Sequence, residues 1–126
     1  MSTNQLRVVS AGLFFLFIFL SGIWLGHSGK PYGVIILTIH KLISLAAVVF
    51  LVRTVYQINQ AAKLSGVEFI AVVVTGLLFL GTIVVGGLLS TDKSMPASVS
   101  AMHQITPFLT VLSTATTLYL LQSRKW

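Results

Sequence analysis

Two histidines stand inside apolar sequence: His40 in LTIHKLISL and His103 in SAMHQITPF. An ionisable side chain in a membrane span is costly, so a histidine there marks a candidate site. If helices start near Val34 and Ser98, His40 lies roughly 9 Å and His103 roughly 7–8 Å along them, at an α-helical rise of ~1.5 Å per residue. Counted from the same face of a membrane, those depths match. Two imidazoles at one depth on two helices can grip a flat cofactor, and haem b is the natural candidate. Ligation by two histidines fills both axial positions of the iron, which suits electron transfer rather than oxygen binding. The same nitrogens could take a magnesium-chlorin pigment, since imidazole is a general metal ligand. They could equally hold no cofactor and hydrogen-bond a lipid headgroup or a neighbouring helix. Gly22 and Gly86 sit at similar depth, near the ends of their apolar runs. Glycine lets a backbone approach a porphyrin face, although Gly22 with Gly26 also makes the GxxxG spacing of ordinary membrane helix packing. Lys41 follows His40 but lies about 100° further round the helix. It can snorkel to the interface or pair with a haem propionate, as can Lys30 and Lys93.

The elements that must position these residues follow from composition. Of 126 residues, 56% are hydrophobic and only 8% charged, against roughly a quarter charged in a soluble domain. Mean hydropathy is +0.97. A soluble monomer of this size has too little interior to hide that much apolar surface. An ordinary cytosolic enzyme, a disordered tail and a nucleic-acid-binding module are excluded, and the lipid bilayer becomes the main partner. The net charge of +6 arises from eight Lys and Arg against Glu68 and Asp92. There is no cysteine, so disulfides, zinc thiolates and iron–sulfur clusters are excluded.

Four apolar runs cover about residues 8–26, 33–56, 67–89 and 99–121. Each is close to the ~20 residues that cross a hydrocarbon core of ~30 Å. Without the alternation of a barrel strand, each must be a helix to satisfy its backbone in lipid. The expectation is an all-α fold: one integral membrane four-helix bundle spanning residues 1–126. The first run resembles a signal peptide, but it is longer than a usual signal core and no small-x-small cleavage site follows. It is read as a span. Residues 27–33, 57–66 and 90–98 carry the Gly, Pro, Ser and Asn of loops. Arg7, Arg53, Lys63, Arg124 and Lys125 fall on one side, and Lys30, Lys93 and Lys41 on the other. The richer side should be cytoplasmic, which puts both termini of a multi-pass chain in the cytoplasm. Both helix pairs then share one plan, with glycines before an outer loop and a histidine early in the next helix. This is an internal repeat in layout rather than in letters.

The remaining polar residues have plainer readings. His27 belongs to a surface loop. Arg53 is an orientation charge, and Glu68 opens helix 3, where a carboxylate suits the positive end of the dipole. Pro107 leaves the carbonyl of His103 without its helical donor and so invites a kink that would set the angle of that imidazole. Thr106, Thr110, Ser113, Thr114 and Thr117 form one polar stripe on helix 4, suited to interhelical hydrogen bonds. No Gly-rich phosphate loop, HExxH or nucleophile elbow is present, and no carboxylate lies mid-span.

Helix 2 reads VIILTIHKLISLAAVVFLVRTVYQ. A span opening on an apolar-His-Lys step and closing on Arg before an aromatic resembles helix 2 of the bacterial cytochrome b561-like proteins. The resemblance implies that His40 is an axial haem ligand, and that His103, opening helix 4, is its partner. It also implies quinol and an outer-face acceptor as redox partners. The family's second histidine pair has no counterpart. Val8, Val9, Ser10 and Ala11 stand where one inner ligand would lie, and Ser113, Thr114, Ala115 and Thr116 where the other would. The expectation is therefore a single-haem electron-transfer protein working beside another redox subunit, within an oligomer or larger complex. The rival readings are a haem-free small structural subunit of such a complex and a pigment-binding subunit.

Overall fold

The computed structural model describes residues 1–91 and 93–124; Asp92 and Lys125, which enter the charge reading above, lie outside the described residues. The described chain is all-helical. The helices are α1 (Thr3–Ser28), α2 (Val34–Ala61), α3 (Gly66–Leu89) and α4 (Ala97–Gln122). All four are long and apolar enough to cross a membrane, as a multi-pass membrane protein requires.

Each helix outruns its apolar stretch, by about a turn or more in α1 and α2, because end signals rather than hydropathy set the boundaries. At the start of α1, Ser2 Oγ accepts from the Gln5 amide at 3.2 Å, and Gln5 Oε1 accepts from the Ser2 amide at 2.8 Å. Ser65 and Glu68 repeat this capping box at the start of α3, at 3.3 and 2.8 Å. Each box satisfies two backbone donors that a helix start would leave unpaired. Gly29 ends α1 in a positive-φ conformation (φ 68°), its amide donating to the Leu25 carbonyl at 3.1 Å. That backbone favours glycine. His27 is therefore in the last turn of α1 and not in a loop.

The chain divides into two compact units, residues 1–54 and 55–126. In the first, α1 meets α2 through the Phe14 and Phe50 rings, with centroids 5.4 Å apart and planes tilted by 43°, and through Ser21 and His40. In the second, α3 and α4 pair antiparallel along a polar ladder. Glu68 meets Arg124 at 3.3 Å, Thr75 meets Thr117 at 3.0 Å, and Thr82 meets Thr110 at 3.3 Å. The rungs step by seven residues on both helices, two turns each, which is the spacing that keeps one seam facing a partner. Three members of the α4 stripe, Thr110, Ser113 and Thr117, thus form interhelical hydrogen bonds, Ser113 joining Thr75 at 2.6 Å, whereas Thr106 and Thr114 donate to carbonyls of their own helix. This is why α4 is the least apolar span, with mean hydropathy 1.2 against 2.3–2.6 for the others. Large apolar side chains such as Leu13, Phe17, Trp24, Ile70, Leu77 and Phe108 are exposed, as lipid contact demands.

Burial reveals the internal repeat in letters as well as layout. Gly22 and Gly86 are 64 positions apart, and His40 and His103 are 63 apart. At the first offset the buried Ala11 and Phe15 of α1 match the buried Thr75 and Phe79 of α3. At the second, Ala47, Thr54 and Ile58 of α2 match Thr110, Thr117 and Leu121 of α4, all buried. In this register AGLFFL (11–16) lies over TGLLFL (75–80), and Tyr56 over Tyr119. Apolar drift around these positions hides the match in letters and leaves only the layout legible.

Candidate functional site

Each histidine is the seventh residue of its helix, His40 in α2 and His103 in α4. Both therefore lie about 9 Å in from the helix start. Each is also seated on the glycine of its own unit. A Cβ added to Gly22 would stand 3.2 Å from Cε1 of His40, and one added to Gly86 would stand 2.7 Å from Cε1 of His103. The glycines supply room at the depth the sequence suggests, and in each unit the imidazole is what lies against that room.

The ring of His40 is held through Nδ1, which lies 2.8 Å from Ser21 Oγ. The Ser21 hydroxyl also reaches the carbonyls of Phe17 at 2.8 Å and Ile18 at 3.1 Å. A serine hydroxyl has one proton, and a carbonyl can only accept. With that proton on the helix backbone, Nδ1–H of His40 donates to Ser21 and the lone pair resides on Nε2; with it on Nδ1, the tautomer is reversed. A neutral imidazole with one N–H fixed and one lone pair is the form a metal takes. His103 is seated differently: the Thr82 backbone lies against its ring, and its Nδ1 is buried and makes no hydrogen bond among the described residues. Ser21, Ser44 and Thr82 were not expected from the sequence. The signal for Ser21 was its place beside Gly22 in SGIWLG.

The carbonyls of the two histidines differ too. Ser44 Oγ donates to the His40 carbonyl at 2.7 Å. The matching position on α4 is Pro107, inside the helix, which offers that carbonyl no amide proton. Lys41 and Arg53 are exposed on α2. Lys30 Nζ stands 5.9 Å from the centroid of the Tyr32 ring, a cation–π distance. His27 helps to line an open depression on α1 with Leu20, Ile23, Trp24 and Ser28. Glu68 does more than face a helix dipole, since it caps α3 and pairs with Arg124, whose guanidinium also donates to the Lys63 carbonyl.

Among the described residues, no three His, Cys, Asp or Glu side chains converge to hold a bare metal ion. What the chain offers a metal is one imidazole in each unit. No protein-family model matches the chain, and no curated protein or solved structure gives a significant match.

Proposed function

We propose that this chain is a bacterial inner-membrane electron-transfer protein, a four-helix bundle with both termini cytoplasmic. It binds one haem b through His40 and His103. The observation that carries this reading is the repeated seat: an imidazole at the seventh position of a helix, packed over a glycine of its own unit. The donor set fits, because an axial histidine needs one nitrogen held by the protein and the other as ligand. Bound haem would supply one-electron chemistry. The chain's own residues orient the ligands: Ser21 for His40, the Thr82 backbone for His103, and Gly22 and Gly86 by leaving space. Lys41, like Lys30 and Lys93, is a cation that could pair with a propionate. Quinol is the proposed donor, and a second redox subunit the proposed acceptor, because one haem near one face does not carry electrons across a membrane. The likeness to cytochrome b561-like proteins supports this reading through the residues of helix 2.

One set of observations favours a second reading, a haem-free structural subunit. The His40 ring is hydrogen-bonded by Ser21 and the His103 ring is packed on Gly86, each inside its own unit, as packing histidines would be. A reduced-minus-oxidised spectrum of the detergent-purified protein, with a pyridine haemochrome count, decides between them. One low-spin b-type haem per chain, lost in both His40→Ala and His103→Ala, supports the first. A preparation that stays colourless when expressed with added haem supports the second. A chlorin band would move the same histidines to a pigment.

A further inference from the structure

We infer that Ser21 is a positioning residue. Its hydroxyl sets the tautomer of His40 and makes the two histidine seats chemically unequal. The internal register shows why the hydroxyl is not a packing requirement: the position matching Ser21 in the second unit is Val85, so an aliphatic side chain serves the same helix there. It also shows what the hydroxyl replaces. The Thr82 backbone lies directly against the His103 ring. The residue matching Thr82 is Ile18, whose carbonyl lies 3.1 Å from Ser21 Oγ. In the first unit one hydroxyl is thus interposed between the imidazole and the equivalent stretch of backbone. The ring of His40 stands correspondingly further from its glycine, with 3.2 Å to the added Cβ against 2.7 Å in the second unit. Ser21 therefore holds Nδ1–H of His40 and leaves Nε2 as the ligand atom, a role no residue side chain plays for His103 at the matching place. Its consequence for cofactor binding rests on the haem reading above; its consequence for the tautomer does not.

The test uses full-length protein in detergent with 15N-labelled histidine, at a pH above the imidazole range, with His40→Ala identifying the His40 signals. The expected result is the Nδ1–H form at His40, a shift toward the Nε2–H form in Ser21→Val, and retention of the Nδ1–H form in Ser21→Thr. Haem titration runs in parallel. Ser21→Val should weaken haem retention by on the order of 10- to 100-fold, the usual cost of losing a ligand's outer partner. Ser21→Thr should restore most of it, and Val85→Ser should stay within about twofold of wild type. The wild-type tautomer needs no variant to be stable. Finding Nε2–H at His40 in the wild type would overturn the inference. So would a Val85→Ser loss equal to that of Ser21→Val, which would mark the effect as packing. If the tautomers behave as stated and no haem binds, Ser21 keeps its role and the haem reading falls.

Discussion

Replacing Gly86 by alanine tests the histidine seat directly. The new Cβ would stand 2.7 Å from Cε1 and 3.2 Å from Nδ1 of His103. A carbon–carbon contact rests at ~3.5 Å or more, so ring or helix must give by about 0.8 Å. Such overpacking costs about 1–3 kcal/mol, and the better helix propensity of alanine returns about 0.5–1 kcal/mol. A net loss of about 1–2 kcal/mol is expected. Gly22→Ala meets His40 at 3.2 Å, a shortfall of about 0.3 Å against the same contact. Its clash and its propensity gain should nearly cancel, leaving stability within about 0.5 kcal/mol of wild type. Reversible unfolding in mixed micelles, titrated with SDS and followed by far-UV circular dichroism, reads both. The decisive arm is the double variant: with His103→Ala in place, Gly86→Ala should cost nothing or stabilise. Equal effects at Gly22 and Gly86, or a Gly86→Ala cost that survives in the His103→Ala background, would refute the account of the seat.

Glu68→Gln keeps a side chain able to close the capping box, as Gln5 does, but it removes the ion pair with Arg124. Because both side chains are largely buried, a loss of about 1–3 kcal/mol is expected, and Glu68→Ala should cost about 1 kcal/mol more through the cap; the same unfolding titration measures both. Thr75→Val removes contacts to Ser113 and Thr117 and should cost about 0.6–1.7 kcal/mol, the range for interhelical hydrogen bonds in membranes. Thr82→Val, whose interhelical contact is 3.3 Å long, should cost less. Because the chain has no cysteine, single cysteines at Ser2, Ser28, Ala62 and Ser94 can be labelled in intact cells with an impermeant maleimide. Labelling at Ser28 and Ser94 alone is the outcome for cytoplasmic termini, and the opposite pattern would reverse the topology.

How much of this was legible in the sequence varies from residue to residue. Four helices followed from apolar runs of membrane length, since lipid leaves a backbone no other way to satisfy itself. Their ends did not follow from hydropathy. Ser2 with Gln5, and Ser65 with Glu68, carry a readable capping signature, and it is these polar residues, lying outside the apolar runs, that open α1 and α3. Gly29 likewise carries α1 past His27. The stripe on α4 was legible as hydrogen bonding because Thr and Ser recurred at helical spacing. Its partners on α3 were not, because Thr75 and Thr82 look isolated in an apolar run. The Gly–His seats were half legible: depth could be counted along each helix, but which atom holds each ring depends on tertiary approach. The repeat was legible in layout but not in letters, because its two halves need different offsets, 64 and 63.

The repeat also sharpens what the histidines require. Lipid makes no demand for imidazole, and most positions around His40 and His103 differ between the two units: Lys41 against Gln104, Ser44 against Pro107, Phe50 against Ser113. What recurs with each imidazole is a glycine whose Cβ the ring would exclude. Packing alone can explain that pair, because a ring seated on glycine needs the gap and the gap needs the ring. Ser21 falls outside that explanation. Val85 shows that the matching helix position accepts a hydrocarbon, and the Ser21 hydroxyl, already within reach of the Phe17 and Ile18 carbonyls, also meets His40 Nδ1. A hydroxyl that satisfies its own proton on the helix and still faces Nδ1 matters to the chemistry of the ring rather than to its shape. The lone pair it directs to Nε2 is what separates a ligand from a wedge, and the tautomer of His40 is accordingly the most informative property of the molecule.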